Sequence, residues 1–283
     1  MNLPEFLNAA SDAWSLLAAY PLRWLAVVLV FLVAVECLMF IPYIGFVVKL
    51  AVASVLIAQV IAIFAAAAIG QSPNPAGMLS AFSMPIGTQV VLAGAALFPF
   101  FAGIAFLYLK GGPQAIEFFF GNILKTKPPS PAQFEQFKYV MQLVSLPFTF
   151  IAGAVVIKGL VGMDALSAAV VAAAANWLPV LILGVLALAF EWSSVQLPLI
   201  MPKWAAAIVG GVLLAVYLAW TFAITYSVSA KVFAPPALKT AASAIIRADL
   251  AQGAVRSRSI QTLASNHHAL LSVPYRARLL VRR

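Results

Sequence analysis

Residues 50–109 read LAVASVLIAQVIAIFAAAAIGQSPNPAGMLSAFSMPIGTQVVLAGAALFPFFAGIAFLYL, sixty positions without one Asp, Glu, Lys or Arg. A helix needs roughly 20 mostly apolar residues to cross a bilayer, about 30 Å at 1.5 Å per residue. The stretch is too long for one crossing, and residues 70–85 (GQSPNPAGMLSAFSMP) punctuate it with Gly, Pro and Ser. It therefore predicts two membrane spans, the second half of one hairpin and the first half of the next.

Three more intervals are free of charge, 139–157, 165–190 and 204–230. Together they predict six spans, at 21–40, 45–69, 86–109, 132–157, 177–192 and 205–229. All are read as helices, because an isolated strand cannot satisfy its backbone in lipid and no barrel alternation is visible. The expected fold is an all-α polytopic transmembrane bundle. Residues 1–20 form an N-terminal interfacial helix, 21–234 the six-span domain and 235–283 a basic tail. Ser130-Pro131-Ala132-Gln133 is a capping-box pattern with Pro at the first helical position, so the fourth helix is expected to start before its apolar run. The fifth span is the shortest, and the Ala- and Val-rich residues 165–176 can extend it as a helix kinked at Pro179.

Composition agrees. Of 283 residues, 64% are hydrophobic and 9% charged, against about 45–50% and about 25% in a soluble domain. Mean hydropathy is +1.03, which excludes a soluble enzyme, a disordered chain and a collagen-like fibre. The net charge of +9 is uneven: residues 231–283 hold nine basic side chains and one acid, Asp249, leaving the first 230 residues at +1. Lys and Arg mark the cytoplasmic side. Six spans put both termini there, with Arg23, Lys158 and the tail inside and Lys110, Lys125, Lys127, Lys138 and Lys203 outside. Inside wins by eleven to five when Lys49 is left within its helix. The single cysteine, Cys37, cannot form an internal disulfide, and the absence of a basic residue before Arg23 argues against a cleaved signal peptide.

The chain also repeats itself. Asp12-Ala13-Trp14-Ser15 opens a stretch that ends at Pro21-Leu22-Arg23-Trp24. Asp164-Ala165-Leu166-Ser167 opens another that ends at Asn176-Trp177-Leu178-Pro179, and a weaker copy starts at Asn74-Pro75. Each unit reads as a short interface helix followed by a transmembrane hairpin. Two spans per unit make the copies parallel, unlike the inverted repeats of many transporters. The Asp164–Pro179 stretch, the Tyr20-Pro21-x-x-Trp24 motif and Tyr226-Ser-Val-Ser-Ala-Lys-Val-Phe233 resemble the YciC-like group of bacterial inner-membrane proteins over roughly residues 8–234. The resemblance implies a multi-span helical fold and a plasma-membrane home, but no reaction.

Candidate sites are few. Glu36 and Lys49 flank the Pro42-Tyr43-Ile44-Gly45 turn, and each lies roughly 6–10 Å into the same hairpin. Intramembrane charges are costly and are usually paired or functional. They read as a proton- or ion-coupling carboxylate or, structurally, as an ion pair or a snorkelling lysine, and the structural reading is favoured because no second acid is present to form a relay. Pro99, within Phe98-Pro99-Phe100-Phe101, and Pro147, before Phe148, should kink the third and fourth spans. If these spans are adjacent, Phe98, Pro99, Phe101, Pro147 and Phe148 can line an apolar recess, although simple packing is the commoner role of such prolines. Gln59 and Gln89 can bond between helices, and Gly184 and Gly210-Gly211 allow close approach. Phe118-Phe119-Phe120, with Lys125 and Lys127, predicts a headgroup-level segment or a docking surface.

Residues 237–252 can form an amphipathic helix, and Lys239, Arg247, Arg256 and Arg258 are expected to contact anionic lipid. Nucleic acid is a less favoured partner, since Tyr275 is the only aromatic interleaved with the tail's basic residues. His267-His268 lacks metal-ligand spacing, and no P-loop, dinucleotide fingerprint, nucleophile elbow or zincin motif occurs. No catalytic residue, metal or cofactor is expected. The function expected is a non-enzymatic inner-membrane protein, either an envelope-maintenance factor or a subunit or assembly partner of a larger complex, with a membrane protein or a second copy as partner. The alternative is a carrier or channel for a lipid-like or small amphipathic solute.

Overall fold

The computed structural model describes residues 1–121 and 129–233, and these are helical throughout with no strand among them. The first unit begins with α1 (Leu3–Ala19), opened by a capping box in which Asn2 and Glu5 exchange side-chain-to-backbone hydrogen bonds at 3.0 Å. Tyr20 breaks the helix, and Pro21, whose missing N–H is no loss at a first helical position, starts α2 (Pro21–Cys37). A short 3₁₀ turn, Leu38–Phe40, carries the chain into the hairpin turn. There Tyr43 takes a left-handed φ of 69°, held by its N–H donating to the Gly121 carbonyl at 3.2 Å. Gly45 opens α3 (Gly45–Ala68). A Cβ there would stand 2.6 Å from the Met39 carbonyl oxygen, so the tight hairpin requires glycine.

Asn74 caps a 3₁₀ segment, Pro75–Ser83, through a hydrogen bond from the Ala76 N–H. Next come α4 (Ile86–Gly111), with Pro99 inside it, and the short α5 (Pro113–Phe120). The expected capping box at Ser130 and Gln133 is present, and α6 (Pro131–Ser145) starts before the apolar run. The fourth crossing is not one kinked rod. It divides into α6, a 3₁₀ turn at Leu146–Phe148 and α7 (Ile151–Val156), so Pro147 sits in the break.

A right angle closes the set. After α8 (Gly162–Ala175), Asn176 ends the helix and α9 (Trp177–Ile200) leaves at 91°. The break is therefore at Asn176 rather than at Pro179. Pro179 is the third residue of α9, where the first N–H groups lack intrahelical partners anyway and proline costs no hydrogen bond. Finally α10 (Lys203–Phe233) runs past the expected limit of 229.

Five helical segments are long and apolar enough to cross a membrane: Pro21–Phe40, Gly45–Ala68, Ile86–Gly111, Pro131–Val156 and Trp204–Phe233. The bent pair Gly162–Ala175 and Trp177–Phe190 brings the number to six if counted as one span. The chain is thus an all-α bundle of membrane-spanning character. The basic tail lies outside the described residues.

Two clusters hold the bundle together. The larger joins α1, α2, α3, α8 and α10, with Trp24 stacked on Phe64 at 3.7 Å and Phe64 facing Tyr226 at 6.2 Å. The smaller lies where α3, α4, α5 and α6 meet, built from Phe46, Phe100, Phe119, Phe134 and Phe137. Its rings meet at 4.7–6.3 Å, and such pairs contribute about 0.5–1.5 kcal/mol each beyond burial. The Phe118-Phe119-Phe120 stretch divides: Phe119 is buried in this cluster, Phe118 is half-buried against it and Phe120 is exposed.

Candidate functional site

Glu36 and Lys49 come from the two arms of one hairpin, thirteen positions apart, and the turn between them brings the arms together. Lys49 Nζ stands 2.8 Å from both Glu36 carboxylate oxygens and 2.9 Å from the Met39 sulfur. The lysine side chain is 21% exposed and the carboxylate 53%. A bidentate contact of opposite charges reduces the cost of holding either in an apolar span. Both oxygens of the carboxylate are thus paired with the lysine.

The residues expected to form an aromatic recess are only partly brought together. Helices α4 and α6 do pack side by side. Phe98 meets Phe148 edge-on at 6.0 Å, but Phe98 and Phe101 are 60% and 47% exposed on the bundle's outer side, and Pro147 is exposed too. The cause is helical geometry: in FPFF, successive side chains turn by about 100°, so buried Pro99 and Phe100 leave their neighbours outside. The hollow between the helices is a cleft of about 200 Å³ lined by Ala95, Ala96, Pro99, Lys138, Met141, Gln142 and Ser145. Its wall is small and apolar on the α4 side and mixed on the α6 side, where Met141 stands among Lys138, Gln142 and Ser145. Of the expected residues only Pro99 lines it. The signal that locates it is the spacing of Lys138, Gln142 and Ser145 at i, i+4 and i+7, one face of a helix.

The opposite end of the bundle holds a second ion pair that sequence reading missed. Asp12 of α1 meets Lys231, in the last turn of α10, at 2.8 Å, and the two helices pack along each other. The lysine also sits where a helix C-terminus favours a cation. Nearby, α7 and α10 approach so closely that a Cβ on Gly153 would fall 2.5 Å from both Cβ and Oγ of Ser229. The hydroxyls of Thr88, Thr221, Ser227 and Ser229 are buried without a hydrogen-bond partner among the described residues.

The polar and small residues assigned to helix contacts divide. Gln89 bonds locally, its amide nitrogen donating to the Phe82 and Met84 carbonyls at 3.1 and 2.8 Å across the break before α4. Gly184 does permit close approach, since a Cβ there would lie 3.1 Å from the Leu146 side chain. Among the described residues, nothing lies within 4 Å of where a Cβ on Gly211 would stand. Among the described residues no group of three His, Cys, Asp or Glu is placed to hold a metal. Lys239, Arg247, Arg256 and Arg258 lie outside the described residues. No protein family, no curated protein and no solved structure matches the chain.

Proposed function

We propose that this chain is a non-enzymatic, multi-pass protein of the bacterial inner membrane, acting as an envelope-maintenance factor or as a subunit or assembly partner of a larger membrane complex. The observation that carries this reading is the filled interior. Trp24, Val27, Val28, Val60, Ile61, Phe64, Leu92 and Ile224 are all buried to within 2% exposure between the spans. The hollows described here, the cleft between α4 and α6 and another of about 330 Å³ beside Pro113 and Phe120, indent the surface. A carrier needs a path or a central site; a subunit needs a rigid scaffold with lateral faces. The Glu36–Lys49 pair supports the same side of the choice, because a carboxylate already neutralised by a lysine is poorly suited to exchanging a coupling ion. Kinship with the YciC-like group is part of this reading and rests on the sequence motifs, the Asp164–Pro179 stretch foremost.

On this reading both termini are cytoplasmic, and the tail's Lys239, Arg247, Arg256 and Arg258 lie on the anionic leaflet. Purification of the full chain in mild detergent, with mass spectrometry of what remains bound, is expected to retain a stoichiometric membrane-protein partner or a second copy. A monomer that carries neither overturns the subunit reading. Uptake of a labelled amphipathic solute into vesicles containing the protein alone would favour the carrier instead.

A further inference from the structure

Two elements at one end of the bundle, α1 and the Pro75–Ser83 segment, each carry an apolar face that no described residue covers. Trp24, in the first turns of α2, donates its indole N–H to the Leu16 carbonyl at 2.9 Å and stacks on Phe64 near the end of α3. Asp12 reaches Lys231 at the end of α10. Helix α1 therefore lies where α2 starts and where α3 and α10 finish. The Pro75–Ser83 segment joins the end of α3 to the start of α4 and packs on α2 and α3, so it belongs to the same end.

Each element has three faces. In α1, Phe6, Ala9 and Ala13 point into the core. Leu3, Leu7 and Trp14 form a second, exposed strip about 90° round the helix, since successive residues turn by about 100°. Asn8, Ser11 and Ser15 form a third, exposed and polar, on the side away from both. A 3₁₀ helix repeats every three residues, so Pro75–Ser83 divides more simply. Met78 and Ala81 are buried, Leu79 and Phe82 are exposed, and Ser80 and Ser83 are exposed on the remaining face. An amphipathic helix at a protein–water boundary has two kinds of surface, a core-facing stripe and a polar remainder. The additional apolar strip needs an apolar medium, and it runs on into one. Leu22, Leu25 and Leu29 continue it along the outside of α2, and Ile86 and Val90 continue it along α4, both of them spans. Glu5 and Asp12 are the only charges in residues 1–22, and residues 75–83 carry none, so neither element brings a cation to a headgroup.

We infer that α1 and the Pro75–Ser83 segment lie in the plane of one leaflet, with Leu3, Leu7, Trp14, Leu79 and Phe82 sunk into the boundary between headgroups and acyl chains and the serines in water. The occupant of both strips is lipid, recognised through buried apolar area and not through headgroup charge. The two elements thereby fix the depth of this end of the bundle. The inference rests on the membrane-spanning helices and not on the subunit reading; in the orientation proposed above, the leaflet is the cytoplasmic one.

The test places single spin labels on the full chain in a Cys37→Ser background, one chain per nanodisc. Leu7→Cys, Trp14→Cys, Leu79→Cys and Phe82→Cys probe the apolar strips, and Ser11→Cys, Ser15→Cys, Ser80→Cys and Ser83→Cys the polar ones. Power saturation in electron paramagnetic resonance compares collisions with oxygen, which concentrates in lipid, with collisions with a water-soluble nickel chelate. Oxygen is expected to exceed nickel at the first four positions and to fall below it at the other four, with the order reversing between the neighbours 14 and 15, 79 and 80, and 82 and 83. The same pattern is expected in phosphatidylcholine alone and with phosphatidylglycerol added. Circular dichroism identifies folded variants, and Leu3→Cys replaces any α1 position whose chain does not fold. Nickel exceeding oxygen on both kinds of strip puts the elements in water and overturns the inference. Exclusion of both reagents from positions 7 and 14 means that protein, whether the tail or a partner, covers the strip, and overturns it as well. A reversal that appears only with phosphatidylglycerol overturns recognition without charge.

Discussion

Lys49 makes one contact pattern that a sequence can foresee and one that it cannot. Its partner Glu36 is within reach because both lie a few residues from the same turn, and any hairpin closed at Pro42–Gly45 brings the two arms into register. The contact with the Met39 sulfur and the unequal exposure of the two charges are products of side-chain packing. A pair of this kind matters most when broken. Lys49→Met is expected to destabilise the protein in detergent by about 1–3 kcal/mol, because it leaves a carboxylate alone in an apolar span. Adding Glu36→Gln should recover most of that loss, which thermal unfolding of the two single variants and the double variant measures. Equal and additive losses would mean that the charges do not act on each other. At Gly45 the constraint is steric, and any side chain there must displace the Met39 carbonyl.

Among the elements, the breaks between helices were harder to read than the helices themselves. Ser130 and Gln133 announced α6 because a capping box is a local device whose parts are three residues apart. Pro179 was misleading for the opposite reason: its effect depends on which turn of a helix it occupies, and that is set by Asn176 ending α8 just before it. Tyr20 and Asn176, the two corner residues, share similar backbone angles, φ −144°, ψ 58° and φ −126°, ψ 45°. This gives the repeated units a structural likeness, although their tryptophans are not equivalent: Trp24 is buried and Trp177 is 62% exposed. The crossing of α7 and α10 is a contact between elements far apart in sequence. Gly153→Ala is expected to cost about 1–3 kcal/mol by overpacking against Ser229. Ser229→Gly in the same chain should restore stability by removing both atoms that clash. Unfolding of the single and double variants distinguishes this from a loss of helix propensity, for which Ala at position 153 would be favourable.

For the whole molecule, the two ends differ in what closes them. One end is sealed by α5 and the phenylalanine cluster, tied to the first hairpin through the Tyr43–Gly121 hydrogen bond. The other carries the Asp12–Lys231 pair and the start of α2. The proposed orientation, with both termini cytoplasmic, places Lys110 outside and residues 80 and 160 inside. Single cysteines at these three positions in a Cys37→Ser background should test this with a membrane-impermeant maleimide. Lys110→Cys is expected to react in intact cells, and Ser80→Cys and Leu160→Cys only after permeabilisation. The reverse pattern would invert the orientation inferred from the basic tail.

The amino-acid sequence by itself determined that the chain is helical and membrane-spanning, where most spans lie, and that Glu36 and Lys49 flank one turn. Each of these follows from local quantities: apolar run length, the spacing of charges and the geometry of one turn. Tertiary structure alone decided that Phe119 of the phenylalanine triplet turns inward, that Asp12 finds Lys231 and that Lys138, Gln142 and Ser145 share a cleft with Pro99. Those outcomes depend on which helices become neighbours. In a bilayer that choice is made by close packing of small residues and by a few polar contacts, not by burial of apolar surface that the lipid already accommodates.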